Sequence, residues 1–221
     1  GRIIFENIKK VIVYLLSDAF TEVILITGSL FFRLPLPVLA TQILWVNVIA
    51  DSFPAFALSF EKGEEEVMND KPRPKQYPIL DNEMKILIFI VGISADLLLF
   101  GLFFFFFRSG DNLDHLRTIV FGALGINSLL YVYSCKNFRK TIWHYNPFSN
   151  TYLNWSIVLG IGVMALSVYW SPLQTLLRTV PLTPADWIIV FGLGIVQVIL
   201  IEITKWFFLS KQYHKKILKR V

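Results

Sequence analysis

Cysteine is almost missing from this chain. Cys135 stands alone, so no disulfide framework and no cysteine metal cluster can form within it. Histidine is nearly as scarce. His115, His144 and His214 fall in connections or in the tail and share no ligand spacing, which leaves no zinc or haem site. A glycine-rich phosphate loop, a nucleophile elbow and a Ser/His/Asp arrangement are absent too, so no catalytic residue is assigned. Nor is there a secretory signal. "GRIIFENIKK" is polar and mixed, has no short apolar core and leads straight into an apolar run. The sequence opens on Gly1 rather than methionine and reads as a fragment.

Charge is also in short supply, at 17 % of residues against 55 % hydrophobic. A soluble domain of 221 residues would be less apolar and would space its apolar residues periodically. Here they come in blocks of about twenty, long enough to cross a bilayer as helix. The expected fold is an all-α polytopic membrane protein, a six-helix transmembrane bundle in contact with the lipid bilayer. The expected spans are residues 11–32, 38–60, 84–107, 118–134, 152–170 and 187–209. Pro35 and Pro37 in "RLPLP" force a tight turn between the first two. Thr183 or Asp186 can cap the last helix.

The net charge of +5 suggests a nucleic-acid partner only until the charges are placed. Of 21 Lys and Arg, all but Arg33, Arg108, Arg117 and Arg178 lie in the N-terminal stretch, two of the connections and the tail, or, as Lys85 and Lys205, in the span ends beside them. That is the positive-inside pattern. It puts both termini in the cytoplasm and leaves no nucleic-acid partner. Trp143, Trp155, Trp170, Trp187 and Trp206 lie near span ends, as an aromatic belt requires. The organisation expected is a cytoplasmic stalk end (1–10), a two-span hairpin (11–60), a cytoplasmic loop (61–83), a four-helix supporting bundle (84–209) and a basic tail (210–221). The triple acid Glu64 to Glu66 belongs to the loop as a solvated or docking surface. No repeat relates the two halves, which argues against an inverted-repeat transporter.

Acidic residues at membrane depth are costly, by about 2.5–3.5 kcal/mol on insertion scales, and functional by default. Asp18 and Glu22 are four apart on the first helix and share a face; Asn47 and Asp51 do the same on the second. The tight hairpin lets those faces meet, so three carboxylates and an amide are expected to converge with no Lys, Arg or His near them in sequence. A bound cation or protons would relieve their repulsion. Oxygen donors suit Ca²⁺, Na⁺, K⁺ or H⁺ rather than a soft metal. Pro54 cannot donate to the carbonyl of Ala50, which frees a backbone oxygen beside Asp51. Asp18 is open to either reading, a ligand or a hydrated or capping carboxylate. Asp96 has two readings, joining the site or bonding to Ser or Asn on the fourth span, of which the second is favoured; Glu202 is expected to pair with Lys205, and Asn127 and Ser128 to pack helices. Gly122, Gly125, Gly160, Gly162, Gly192 and Gly194 read as close-packing positions.

The phrases "GRIIFENIKKVIVYLLSDAFTEV", "QILWVNVIADSFPAFALSFE" and "EEEVMNDKPRPK" resemble the C-terminal membrane region of type II P-type ATPases, in the calcium-pump branch. The resemblance spans nearly the whole chain, with six helices matching that family's fifth to tenth. It implies that Glu22, Asn47 and Asp51 bind the transported cation, with the Ala50 backbone carbonyl assisting and Asp18 as a further candidate. The departures are Ala19 and Ala50, where two-site calcium pumps carry ligand side chains, and the absence of an acid near Gly125. They imply one ion rather than two. Sodium/potassium pumps tend to carry aspartate where Asn47 stands, which favours Ca²⁺. The phosphorylation, nucleotide-binding and actuator parts and the first four helices are missing partners. ATP and Mg²⁺ would act only through them, and this chain alone should not hydrolyse ATP. The short third-to-fourth connection suggests a prokaryotic plasma membrane. A gradient-driven cation or proton carrier, and a non-transporting membrane module, remain alternatives.

Overall fold

The computed structural model describes residues 1–63, 79–80 and 82–218, and the described chain is helical throughout, with no strand. Helix α1 (Arg2–Phe31) carries the first span and continues through the polar stretch before it. The second span is not one helix. It runs as α2 (Ala40–Val46), a π-helical turn (Asn47–Asp51) and α3 (Ser52–Ser59) in succession. The turn falls where Pro54 removes a backbone donor, so the amide ladder widens by one residue before it recovers. Ser52 closes the wide turn from both backbone and side chain, its Oγ donating to the Asn47 carbonyl at 2.9 Å.

Helices α4 (Asn82–Arg108), α5 (Leu113–Cys135), α6 (Thr151–Tyr169) and α8 (Pro184–Leu218) carry the remaining spans, and a short α7 (Ser171–Leu177) lies between α6 and α8. With α1, these make five helices long and apolar enough to cross a membrane among the described residues. The sixth expected span is the broken one. Most expected span ends lie within three residues of a helix end, but α1 begins at Arg2 rather than residue 11, α5 begins at Leu113 rather than residue 118, and α8 runs on to Leu218 through most of the stretch read as a tail. Glu64 to Glu66 and most of the 61–83 loop lie outside the described residues.

The bundle is built around α5, most of whose side chains are buried. It packs most extensively on α8, with α1, α4, α6 and the broken second span completing the ring. Close approach explains three of the glycines. A Cβ at Gly125, Gly160 or Gly194 would crowd Met164, Leu129 or Leu130, whereas at Gly122 it would make only ordinary contacts and Gly162 and Gly192 face open space, so these three are not close-packing positions. Caps follow the sequence. Asn112 opens α5 by accepting the Asp114 and His115 amides, and Thr183 and Asp186 cap α8 reciprocally. Arg33 turns the chain out of α1 at a φ of 54°. At that end of the bundle, Arg117 Nε donates to the Leu36 carbonyl at 3.0 Å and holds the hairpin turn against α5.

Candidate functional site

Tyr14, Asp18 and Glu22 stand one above another on α1, at successive i, i+4 positions. Facing them is the π-helical turn with Asn47 at its start and Asp51 at its end. The four polar residues anticipated from sequence are therefore brought to one place, but they divide into two pairs rather than meeting at one point. Among the described residues, no three His, Cys, Asp or Glu side chains lie close enough together to hold a metal ion. The separation has a simple cause: one helical turn, about 5.4 Å, lies between Asp18 and Glu22.

In the first pair, Asn47 Nδ2 donates to Glu22 at 2.9 Å to Oε1 and 3.2 Å to Oε2. Both residues are half-buried. The exposed Ala19, Val23, Leu44 and Val48 lie on the same two elements.

The second pair is deeper. Ser128 of α5, fully buried, places its Oγ 2.7 Å from Asp18 Oδ2, 2.6 Å from Asp51 Oδ1 and 2.7 Å from the Tyr14 hydroxyl. Tyr14 donates to the Ala50 carbonyl at 2.7 Å, the carbonyl that Pro54 cannot serve. The Tyr14 carbonyl in turn accepts from Tyr131, whose ring lies 5.0 Å from that of Tyr14.

Four short oxygen–oxygen contacts need four hydrogens, and the two hydroxyls supply two. If Tyr14 serves Ala50 and Ser128 serves Tyr14, the remaining two must come from the carboxyl groups of Asp18 and Asp51. Ser128 then donates once and accepts twice, which is the full capacity of a hydroxyl. With both carboxylates ionised, two of the contacts would set lone pair against lone pair. The arrangement thus calls for protons, or for a cation between the oxygens in their place.

Several expectations change against these contacts. Asp18 is no cap, since it lies mid-helix and bonds to Ser128. Ser128 is not a packing residue but the centre of the deeper pair. Tyr14 and Ser128 were both missed. The Ala50 carbonyl faces the site but already accepts from Tyr14, leaving its second lone pair for any other ligand. Asp96 is buried, and neither of its oxygens bonds to a partner among the described residues, so the expected bond to α5 is not formed. Asn127 likewise uses neither amide atom, and its Oδ1 packs toward Gly194. Glu202 pairs with Lys205 at 2.9 Å, as expected. The Ile142 amide also donates to Glu202, and Lys205 donates to the Ser134 carbonyl.

Beyond α3 the chain is tied down by a second buried network. Asn7 Nδ2 donates to the carbonyls of Ser59 and Glu61, and Asn150 Nδ2 donates to Glu61 Oε2 at 2.8 Å. Lys136 reaches the Asn146 and Pro147 carbonyls and Ser149 Oγ, with Glu61 Oε1 at 3.5 Å. Burial pushes the Lys136 ammonium below its usual range, and Glu61 opposes that shift. The end of the helix that follows Asp51 is thereby held to α1 and to the connection between α5 and α6.

The family described as "Cation transporting ATPase, C-terminus" matches residues 35–207. The chain is 34 % identical over 205 residues to a "Calcium-transporting ATPase" of Bacillus subtilis, covering 91 % of this chain and 23 % of that protein. It is 30 % identical over 221 residues to "Calcium-transporting ATPase 1" of Bacillus cereus, covering 93 % and 25 %. Similarity extends to animals: "Calcium-transporting ATPase type 2C member 2" of Mus musculus is 31 % identical over 209 residues, covering 93 % and 22 %. The chain spans about a quarter of the length of these relatives.

Proposed function

The chain belongs to the family of cation-transporting ATPase C-terminal regions, and on that footing we propose that it is the ion-binding membrane part of an ATP-driven calcium pump. One observation carries the reading. Two adjoining polar pairs, Glu22 with Asn47 and Asp18 with Asp51, meet at a break in the second span. Oxygen donors from carboxylate, amide and backbone suit a hard cation. Family membership and relatives named for calcium transport support Ca²⁺ as the transported ion. Ala19 and Ala50 offer no donor side chain, so a single ion is the stoichiometry proposed.

In this reading Glu22, Asn47 and Asp51 bind the cation, Asp18 joins them, and the Ala50 carbonyl assists. The phosphorylation, nucleotide-binding and actuator parts and four further helices would belong to the rest of the pump. ATP and Mg²⁺ would act there. Stalk and loop on the positive side would face the cytoplasm, in a prokaryotic plasma membrane. Pumping would switch the site between an assembled and a disassembled helix arrangement.

The test compares cation-dependent phosphorylation of the full-length protein carrying this chain with that of its Asp51→Asn variant. Loss of the calcium dependence is expected. An unchanged dependence would overturn the site assignment. Uptake driven by a gradient without ATP would favour the carrier reading instead.

A further inference from the structure

Buried hydroxyls on these helices normally turn back on their own backbone. Ser17 donates to the Val13 carbonyl, Thr21 to Ser17, Ser29 to Leu25 and Thr118 to Asp114, each four residues back. Ser128 does not. It is fully buried on the most buried helix of the bundle, and its hydroxyl contacts only side chains of other elements. Three oxygens surround it, from Asp18 and Tyr14 on α1 and from Asp51 at the end of the π-helical turn. It thus links both halves of the hairpin, at the level where they carry their carboxylates.

Its position also sets a distance. The legs of 2.7 and 2.6 Å from Ser128 Oγ cannot hold Asp18 Oδ2 and Asp51 Oδ1 more than about 5.3 Å apart. A calcium ion bound by two oxygens at about 2.3–2.6 Å spans no more than that. Without the bridge the two carboxyl groups, which stand on separate elements, lose the hydroxyl they share, and once ionised to take a cation they repel one another.

We propose that Ser128 is a positioning residue of the cation site, bridging Asp18 and Asp51 so that both carboxylates stay within reach of one cation, with Tyr14 holding the serine hydroxyl in place. The inference rests on the calcium-pump reading above. It adds α5 to the elements that shape the site and ties Asp18 to Asp51, although nothing in the spacing of Ser128 marks it out.

The experiment measures apparent Ca²⁺ affinity, through calcium-dependent phosphorylation of the full-length protein, for Ser128→Ala, Ser128→Thr and Ser128→Cys, with Glu22→Gln alongside. Residues that orient metal ligands cost about 10–100-fold in affinity when removed. Ser128→Ala is expected to lose affinity in that range, and Ser128→Thr, which keeps the hydroxyl, to stay within about threefold of the parent. Ser128→Cys keeps the volume but bonds weakly. It should behave like alanine, and it answers the question if the alanine variant fails to fold. An affinity unchanged in both Ala and Cys variants, or a threonine variant as impaired as they are, overturns the proposal. If Glu22→Gln abolishes the calcium response while Ser128→Ala and Ser128→Cys leave it intact, only this inference fails. If Glu22→Gln is also neutral, the site assignment itself fails.

Discussion

Replacing Tyr14 by Phe removes one oxygen atom and leaves the ring. That ring is fully buried and lies 5.0 Å from Tyr131, so its packing should survive. The hydroxyl, however, is the side-chain donor to the Ala50 carbonyl and a partner of Ser128, both at 2.7 Å. Ala50 itself is fully buried. A buried polar group deprived of its partner costs about 1–3 kcal/mol. Tyr131→Phe is the control, because its hydroxyl donates to the Tyr14 carbonyl, which lies inside the regular ladder of α1 and keeps its helical donor. Its loss should cost only the net value of one hydrogen bond, about 0.5–1.5 kcal/mol. Thermal unfolding of the purified protein in detergent should therefore rank the parent above Tyr131→Phe and Tyr131→Phe above Tyr14→Phe. The calcium response should separate them further. Tyr14→Phe frees both Ser128 and the Ala50 carbonyl and should weaken apparent affinity by about tenfold, the equivalent of 1.4 kcal/mol, while Tyr131→Phe leaves it near the parent value. If the two variants prove equal in both measurements, the role given to Tyr14 at the helix break is wrong.

Two further substitutions probe the rest of the bundle. Pro54→Ala restores a backbone donor and removes a residue that costs roughly 3 kcal/mol in a helix interior. The second span should become more regular, so melting temperature should hold or rise while calcium affinity falls, and a parallel change in both would count against the break as a functional device. Lys205→Met strands Glu202, which is 0 % exposed and otherwise bonded to the Ile142 amide. Breaking one side of such a pair costs about 3–5 kcal/mol, and adding Glu202→Gln should recover most of the lost melting temperature.

Much of the architecture was legible in the sequence because a bilayer imposes length on every span and charge asymmetry on every connection. The break in the second span was legible too, since Pro54 names the carbonyl it abandons. So was the Glu22–Asn47 contact, because i, i+4 spacing on two helices joined by a tight turn leaves little choice of facing. Tyr14 and Ser128 were not. A tyrosine among aliphatic residues and a serine in a glycine-rich span carry no periodic mark. What distinguishes them is the crossing of α1 with α5, more than a hundred residues apart in sequence, which no local pattern encodes. The same limit explains the expected convergence of three carboxylates. Spacing showed which face they share but not that Asp18 and Glu22, a turn apart, would each take a different partner. For Asp96, depth in the membrane marked the residue as unusual, yet the bonding partner expected on α5 is not formed.

One geometric consequence remains in the contrast between the two helices of the hairpin. Helix α1 is unbroken over its 30 residues, whereas its neighbour is jointed at Asn47–Asp51 and pinned beyond the joint through Ser59 and Glu61. A stiff rod beside a pinned joint works as a lever. Glu22 lies about 30 Å from Arg2 at 1.5 Å per residue, so tilting the rod by about 5° about its Arg2 end sweeps the carboxylate through roughly 2.6 Å. That stroke equals a full calcium–oxygen bond of about 2.3–2.6 Å. A rotation too small to unpack a single helix is therefore large enough to make or break a ligand bond.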